Sequence, residues 1–293
     1  MRDSELLRCP APAKLNLFLH VLGRRADGYH SLQTAFQLID WCDYLDFHCR
    51  EDGWVRRINT LEGIPEVDLS VRAAQLLKTH THCPLGVDIV LDKHLPIGGG
   101  LGGGSSDAAT TLLALNQLWD LQLTREQLMH LGVQLGADVP FFLFGQNAFA
   151  QGIGEQLQKI ILPERWFVVV SPDEQISTVE IFSAPTLTRD SEPVRIADFL
   201  AHHFEFGRND LQQVVEQRSK KVANALAWLK KREKNARMSG SGSCVFATFS
   251  ERHSAEEVVK KAQENGWQSQ CVVGINKHPM ADFAVENLFS QSL

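Results

Sequence analysis

Stretches of alternating apolar and polar residues, and stretches with apolar residues at helical spacing, follow one another along this chain. The alternation over residues 15–21 has the period of a strand with one face in the core. Further strands are predicted over residues 34–49, 87–91, 162–171, 244–249 and 270–274. Helices are predicted over residues 68–80, 108–119, 124–135, 211–234 and 254–265. This mixture, divided between two halves, predicts an α+β fold.

Capping residues mark the start of three of these helices. The Asp68 side chain can accept hydrogen bonds from the first backbone N–H groups of a helix. Thr124 with Gln127, and Ser254 with Glu257, fit the capping box that opens a helix. We therefore expect helices to begin after Asp68, Thr124 and Ser254.

The polar face of the first strand carries candidate chemistry. Lys14, Asn16 and His20 share the face opposite Leu15 and Leu17. A solvated sheet face explains this pattern as well as a functional face does, so the pattern alone leaves both open.

Two loops are predicted from turn-forming residues. The Asp-Gly pair at 27–28 predicts a turn that presents Tyr29 and His30. Residues 183–193 are polar and include two prolines, which favours a loop over core.

Length, charge and cysteine usage narrow the function classes. A chain of 293 residues exceeds most single cores, so we expect two domains, residues 1–160 and 161–293. The net charge of −6, with no long basic run, argues against a nucleic-acid partner and favours a small molecule. The cysteines form no Cys-x-x-Cys pair, and no signal peptide or apolar run long enough for a membrane span is present, so we expect a cytoplasmic protein without a membrane anchor. Monomer and homodimer both fit the sequence.

A glycine run is the most informative motif in the chain. Six of the seven residues over 98–104 are glycine, with a predicted strand before them and a predicted helix after them. Glycines let several backbone N–H groups converge on one point, and the helix adds its positive dipole end. The segment therefore predicts a phosphate cradle.

Other interpretations of the run fit less well. A flexible linker would not be flanked directly by an apolar strand and helix. A P-loop requires a Gly-Lys-Ser/Thr ending, but no lysine occurs between Lys93 and Lys159. The dinucleotide fingerprint is matched by the glycine spacing, yet Asp120 follows a helix where that motif requires the end of a strand. The run ends in Ser105 and Ser106, whose hydroxyls could bond a phosphate oxygen or Mg²⁺, and one of which could cap the helix.

Several segments resemble the conserved motifs of the GHMP kinases, the family of galactokinase, homoserine kinase and mevalonate kinase. The central motif is matched by residues 96–106, the N-terminal motif by residues 12–17 and the C-terminal glycine loop by residues 238–246. Three more segments narrow the resemblance to the cytidine-diphosphate-alditol kinases of this family, and they are residues 25–32, 135–141 and 152–155. The resemblance covers nearly the whole chain.

The resemblance implies a fold, a reaction and a set of site residues. It implies a two-domain GHMP-kinase-like fold with the active site in the interdomain cleft. The reaction it implies is ATP-dependent phosphorylation of the 2-hydroxyl of the methylerythritol part of the acceptor, with Mg²⁺, in the non-mevalonate route to isoprenoid precursors. Lys14 and Asp138 match the catalytic residues. The implied ATP-binding residues are Pro96, Ile97, Gly98, Gly99, Gly100, Leu101, Gly102, Gly103, Gly104, Ser105 and Ser106. The implied acceptor-binding residues are Asn16, Tyr29, His30, Thr178 and Phe182.

Alternatives remain at the level of sequence. Asp138 stands directly before Val139-Pro140 and could be a plain helix N-cap. The acceptor could be homoserine or mevalonate, as in other members of the family. Of the two serines, Ser106 is the candidate metal ligand, and no lone carboxylate stands out as a second one. A dinucleotide-binding oxidoreductase and a nucleotide-sensing module are the competing classes of function.

Overall fold

Ten strands of the computed structural model, which describes residues 4–286, pair into one mixed sheet. The strands are β1 (Glu5–Arg24), β2 (His30–Arg50), β3 (Val55–Arg57), β4 (Gly86–Asp92), β5 (Ala148–Gln151), β6 (Gln156–Lys159), β7 (Trp166–Ser171), β8 (Arg237–Met238), β9 (Val245–Phe249) and β10 (Gln268–Ile275). The central path runs β3-β4-β2-β10-β7-β9-β8, with β1 and β5 paired to β2 and β6 paired to β5. The α+β prediction is confirmed.

Helices cover this sheet in both halves of the chain. They are α1 (Leu69–Thr81), α2 (Gly103–Leu118), α3 (Arg125–Val133), α4 (Val139–Phe144), α5 (Thr178–Phe182), α6 (Ile196–His202), α7 (Gln212–Arg218), α8 (Lys220–Lys230) and α9 (Arg252–Glu264). Short 3₁₀ turns follow at His203–Glu205 and Ala281–Phe283. Among the described residues, no helix combines the length and apolar character that a membrane crossing requires.

The long hairpin of β1 and β2 is central to the sheet, because β2 also pairs with β4, β5 and β10. Its antiparallel register places Lys14 opposite Leu38 and Asn16 opposite Phe36. Both faces of β1 are covered here, so Lys14, Asn16 and His20 are at most 5% exposed. The alternative of a solvated polar face is therefore wrong.

Three apolar clusters form the core. In the first half, α1 and α2 pack on β2 and β4. In the second half, α8 and α9 pack on β7 and β9. The third cluster combines Phe18 of β1 with Phe167 of β7 and Phe246 of β9, so apolar packing is continuous between the halves. Each fully buried large side chain contributes roughly 1.5–3 kcal/mol to this packing.

Two of the three predicted helix starts are confirmed. Asp68 caps α1 by accepting hydrogen bonds from the backbone N–H groups of Ser70 and Val71. Thr124 and Gln127 form both bonds of a capping box at the start of α3. These starts depend only on local sequence, which is why the pattern predicted them.

Two predictions in the second half are wrong. Residues 211–234 form two helices, since Ser219 adopts an extended backbone and caps α8 by accepting a hydrogen bond from the N–H of Val222. Helix α9 begins at Arg252 rather than after Ser254, and no side chain caps it. The Arg252 guanidinium pairs with Glu256 at 2.7 Å, which supports an earlier first turn than the capping-box pattern indicates. The loop predicted over residues 183–193 is confirmed, but its Ala184 and Leu187 are buried in the second apolar cluster, so it is not separate from the core.

Candidate active site

The glycine run connects β4 to α2, as its flanking patterns predicted. Helix α2 begins at Gly103, and Gly102 caps it in the left-handed conformation with φ of +75°. The expectation that Ser105 or Ser106 caps the helix is wrong, because the glycine lets the helix begin earlier. The Ser106 hydroxyl is buried and donates to the carbonyl of Pro12 at 2.7 Å. Ser105 lines the neighbouring cavity instead.

A cavity of about 450 Å³ opens over the glycine loop. All the predicted loop residues from Pro96 to Ser105 line it, and Ser106 does not. Its opposite wall is largely apolar and is formed by Ile64, Pro65, Val67, Leu69 and Leu91. A cavity with a glycine-lined end and an apolar wall can hold a triphosphate and a base together.

A buried charge cluster, which sequence reasoning missed, forms part of this cavity. The Lys93 ammonium donates to Asp107 at 2.9 Å and to Asp43, which also accepts from the N–H groups of His94 and Leu95. Burial and the neighbouring Asp43 raise the pKa of Asp107 against the effect of Lys93. Burial would lower the pKa of Lys93, but the two carboxylates raise it overall. Lys93 lies three residues before Pro96 and Asp107 directly follows Ser106, so both are close to the glycine segment in sequence. That proximity was the available signal.

Lys14 is held by three acceptors in the adjoining part of the cleft. Its Nζ lies 2.6 Å from Asn16 Oδ1, 3.1 Å from the carbonyl oxygen of Gly100 and 3.4 Å from Asp138 Oδ2. Asn16 also donates its amide to Thr34 Oγ1 at 2.9 Å, which fixes the orientation of the amide. The ammonium therefore sits in a defined direction between the glycine loop and Asp138.

Asp138 precedes α4 but does not cap it through its side chain. The residue stands at the N-cap position with helical φ and ψ, and its carboxylate makes no capping hydrogen bond. The side chain is 34% exposed and faces Lys14. The alternative of a plain N-cap is therefore wrong, and the carboxylate is open to a hydroxyl in the cleft.

Four of the five predicted acceptor residues line a second cavity, of about 390 Å³, here called the aromatic cavity. Tyr29, His30, Thr178 and Phe182 all line it, and the rings of His30 and Phe182 have centroids 5.1 Å apart. Asn16 does not line this cavity and lies beside Lys14 instead. Tyr29 is 61% exposed, which leaves its ring available for stacking.

Arg189, which sequence reasoning missed, holds several parts of the aromatic cavity together. Its Nε donates to His30 Nε2 at 3.1 Å, and its other nitrogens donate to the carbonyls of Phe182, Ala184 and Leu187. A guanidinium only donates, so His30 accepts at Nε2 and carries its proton on Nδ1. Burial, and then Arg189 and Arg24, lower the pKa of His30. A single arginine in a polar loop gives no sequence signal of this role.

A middle cavity of about 340 Å³ joins the two outer ones at Lys14 and Asp138. It shares Gly98, Gly100 and Ser105 with the glycine-lined cavity. It shares Leu32, Ala137, Ile153, Thr178 and Phe182 with the aromatic cavity. The three cavities thus form one continuous cleft, with the lysine and the carboxylate at its centre.

The donor set of the cleft fits Mg²⁺ only as an ion held largely by phosphates. Ser105 and Asp138 supply oxygen atoms in the middle cavity. Over residues 4–286, no three His, Cys, Asp or Glu side chains come together as a metal cluster. Mg²⁺ commonly keeps several waters and binds one or two protein oxygens together with substrate phosphates, which this donor set allows.

Comparisons with known proteins show the family to which the chain belongs. The models of the GHMP kinases N terminal domain and GHMP kinases C terminal match residues 68–146 and 187–266. The 4-diphosphocytidyl-2-C-methyl-D-erythritol kinase of Cupriavidus taiwanensis is 56% identical over 96% of this chain and 97% of its own. That of Ralstonia nicotianae is 56% identical over 96% and 98%.

Solved structures agree in fold. A crystal structure of 4-(cytidine 5'-diphospho)-2C-methyl-D-erythritol kinase is 32% identical and superimposes with a TM-score of 0.79 over 93% of this chain and 100% of its own. The homoserine kinase of Cytophaga hutchinsonii, at 13% identity, has a TM-score of 0.65 over 95% of this chain and 96% of its own, which shows the fold alone. The chain therefore belongs to the GHMP kinase family, in the group of the 4-diphosphocytidyl-2-C-methyl-D-erythritol kinases.

Proposed function

We propose that this chain transfers the γ-phosphoryl group of ATP to the 2-hydroxyl of 4-diphosphocytidyl-2-C-methyl-D-erythritol. The products are the 2-phosphate and ADP, in the non-mevalonate route to isoprenoid precursors. The observation that carries the proposal is the continuous cleft, in which Lys14 and Asp138 lie between a glycine-lined cavity and an aromatic cavity. A donor and an acceptor bound in the two outer cavities would meet at these residues.

The glycine-lined cavity is assigned to ATP. The triphosphate would lie along residues 98–105 and the start of α2, where backbone N–H groups and the helix dipole favour negative charge. The apolar wall would cover the adenine. When bound, Mg²⁺ would neutralise phosphate charge next to Ser105 and Asp138.

Asp138 and Lys14 are assigned to the transfer itself. The Asp138 carboxylate accepts the proton of the 2-hydroxyl while the hydroxyl oxygen forms a bond to the γ-phosphorus and the bond to the leaving ADP oxygen breaks. The Lys14 ammonium, 3.4 Å from this carboxylate, stabilises the negative charge that develops nearby. General acid–base contributions of this kind are typically about 10²- to 10⁴-fold.

The aromatic cavity is assigned to the cytidine end of the acceptor. Tyr29 and Phe182 offer ring faces for stacking, and His30 offers a donor at Nδ1 because Nε2 is engaged by Arg189. The Thr178 hydroxyl, 2.8 Å from Ser241 Oγ, lies where this cavity meets the middle one. These residues would therefore hold the acceptor with its alditol towards Asp138.

Two finer assignments also belong to this proposal. The division into residues 1–160, which would hold ATP, and residues 161–293 stays a prediction, as does a cytoplasmic location.

An acceptor panel tests the function. Purified protein with Mg·ATP is offered the cytidine diphosphate alditol, homoserine or mevalonate, and ADP release is followed. Turnover with the first acceptor alone is expected, since the aromatic cavity would be superfluous for the two small ones. Turnover with homoserine or mevalonate instead would overturn the acceptor assignment. Saturable NADH binding with no effect of ATP would favour an oxidoreductase.

A further inference from the structure

Ser239 connects the two halves of the chain directly at the cleft. It lies in the turn between β8 and β9 and is completely buried. Its hydroxyl donates to the carbonyl of Gly100 at 3.0 Å and accepts from the backbone N–H of Asn16 at 3.2 Å. One side chain thus uses both roles of a hydroxyl group, one towards the glycine loop and the other towards β1.

The carbonyl of Gly100 links Ser239 to Lys14, one of the two residues proposed to act in the transfer. It accepts hydrogen bonds from Ser239 Oγ and from Lys14 Nζ, the latter at 3.1 Å. A carbonyl oxygen has two lone pairs, so these two donors satisfy it. The position of the Lys14 ammonium therefore depends on the position of a carbonyl that Ser239 holds.

Glycine is required at both contact points. Gly100 has a φ of +72°, and a Cβ there would lie 2.2 Å from the backbone oxygen of Ser239. At Gly240, a Cβ would lie 3.1 Å from Asn16 Oδ1 and 3.3 Å from Lys14 Nζ. The turn thus packs so closely against Lys14 and the glycine loop that a side chain at Gly100 or Gly240 would be strained. This close packing keeps the Ser239 hydroxyl within hydrogen-bond distance of the Gly100 carbonyl.

The buried side-chain amide of Asn209 holds the turn around Ser239 in place. Asn209 donates to the carbonyl of Met238 at 2.9 Å and to that of Gly240 at 2.7 Å. These carbonyls flank Ser239 on either side, so the direction of its hydroxyl is set by a rigid backbone.

We propose that Ser239 is a positioning residue for phosphoryl transfer. Its hydroxyl fixes the position of the glycine loop and, through the carbonyl of Gly100, the position of the Lys14 ammonium. This inference rests on the proposed function. Without the hydroxyl, Gly100 keeps one of its two donors and the N–H of Asn16 loses its acceptor. The consequences fall on the donor side and on the transfer step, because Gly100, which accepts from Ser239, lines the glycine-lined and middle cavities and not the acceptor cavity.

The test uses Ser239→Ala and Ser239→Thr, with Ser269→Ala as the matched control. Ser269 is also buried and donates to a carbonyl, that of Val259 at 3.3 Å, but lies in β10 away from the cleft. In Ser239→Ala we expect kcat to fall about 5- to 10-fold and the affinity for Mg·ATP to fall about 3-fold or more, the scale of one hydrogen bond. In Ser239→Ala the KM of the acceptor should stay within about twofold of the wild type. Ser239→Thr, which keeps a hydroxyl, should have a kcat within about twofold of the wild type. Ser269→Ala should change none of these values.

The outcomes separate a positioning role from a structural one. Unchanged kcat and Mg·ATP affinity in Ser239→Ala, or equal losses in Ser269→Ala, would overturn the proposal. If Ser239→Ala folds poorly, Ser239→Cys keeps the shape with a weak donor and is expected to change the same quantities. Calorimetric titration with Mg·ATP tests Ser239 even if the wild type does not phosphorylate the cytidine diphosphate alditol, a result that would count against the proposed function alone.

Discussion

The ammonium of Lys14 lies 3.4 Å from Oδ2 of Asp138, in an ion pair with one buried partner and one partner open to the cleft. Lys14 comes from β1 and Asp138 from the start of α4, so the fold brings together two segments that are distant in sequence. The buried end of the pair is fixed by Asn16 and Gly100. The open end is the place where an acceptor hydroxyl can approach.

Removal of either partner should therefore affect turnover more than folding. Asp138→Asn and Lys14→Ala are each expected to lower kcat by at least ~10²-fold, since the variants lose the proton acceptor or the nearby positive charge. Steady-state kinetics and thermal unfolding measure the two effects separately. Lys260→Ala, an exposed lysine on α9, should leave kcat unchanged. Near-normal rates in Asp138→Asn would remove this carboxylate from the mechanism.

Alanine substitutions at two glycines of the run should have different effects on the free energy of unfolding. Gly100→Ala places a Cβ 2.2 Å from the Ser239 backbone oxygen at a positive φ, whereas Gly104→Ala meets only the Leu69 side chain at 3.3 Å. Gly104 lies in the first turn of α2, where alanine favours the helix by up to about 1 kcal/mol. We expect urea denaturation to show a lower free energy of unfolding for Gly100→Ala and an equal or higher one for Gly104→Ala. Equal destabilisation by both would show that the loop contact is not tight.

The parts of the fold that depend on local sequence could be predicted. The alternation in β1, the caps at Asp68 and Thr124 and the glycine run between strand and helix each follow from neighbouring residues. The break at Ser219 could not be predicted, because the apolar spacing continues across it and only the backbone shows that α8 has its own cap. Periodicity identifies the buried face of a helix but not every interruption.

The candidate site shows a similar division. Lys14 and Asp138 were indicated by resemblance, while their distance and the absence of a capping bond at Asp138 needed the structure. Arg189 acts through a contact with His30, far away along the chain, so no local pattern indicates it. Ser239 lies in the segment 238–246 that resembles the C-terminal glycine loop, but its contact with Gly100 needed the structure. The position of Ser106 at the end of the glycine run made it a candidate ligand, and the structure adds that its hydroxyl donates to the carbonyl of Pro12.

Arg189 should influence the acceptor rather than ATP. Arg189→Ala removes the donor to His30 Nε2 and the bonds that hold the chain near Phe182, so we expect the acceptor KM to rise about tenfold with kcat changed less than about threefold. The pKa of His30 should also rise, because one positive neighbour is lost. The acid limb of kcat/KM for the acceptor would then move to higher pH.

A matched arginine serves as the control for this variant. Arg195, 82% exposed and paired with Asp198, lies outside the cavity, so Arg195→Ala should leave the acceptor KM and the pH profile unchanged. A rise in the KM of ATP alone in Arg189→Ala would contradict the assignment of this cavity to the acceptor.

His278 should make the stability of the protein depend on pH. It is completely buried, its Nδ1 accepts from the N–H of Met280, and burial, with Arg125, lowers its pKa to about 3. The unfolded chain takes up the proton near the ordinary histidine pKa, whereas the folded chain does not, so this stabilising contribution is present above that value and is lost as the pH falls towards 3. From pH 7 to pH 5 the loss is about 2 kcal/mol at most. In His278→Asn, whose side-chain oxygen can still accept from Met280, urea denaturation should show a smaller difference between the two pH values. The exposed His253→Asn should behave as the wild type, and an unchanged pH dependence in His278→Asn would mean that other groups cause the acid sensitivity.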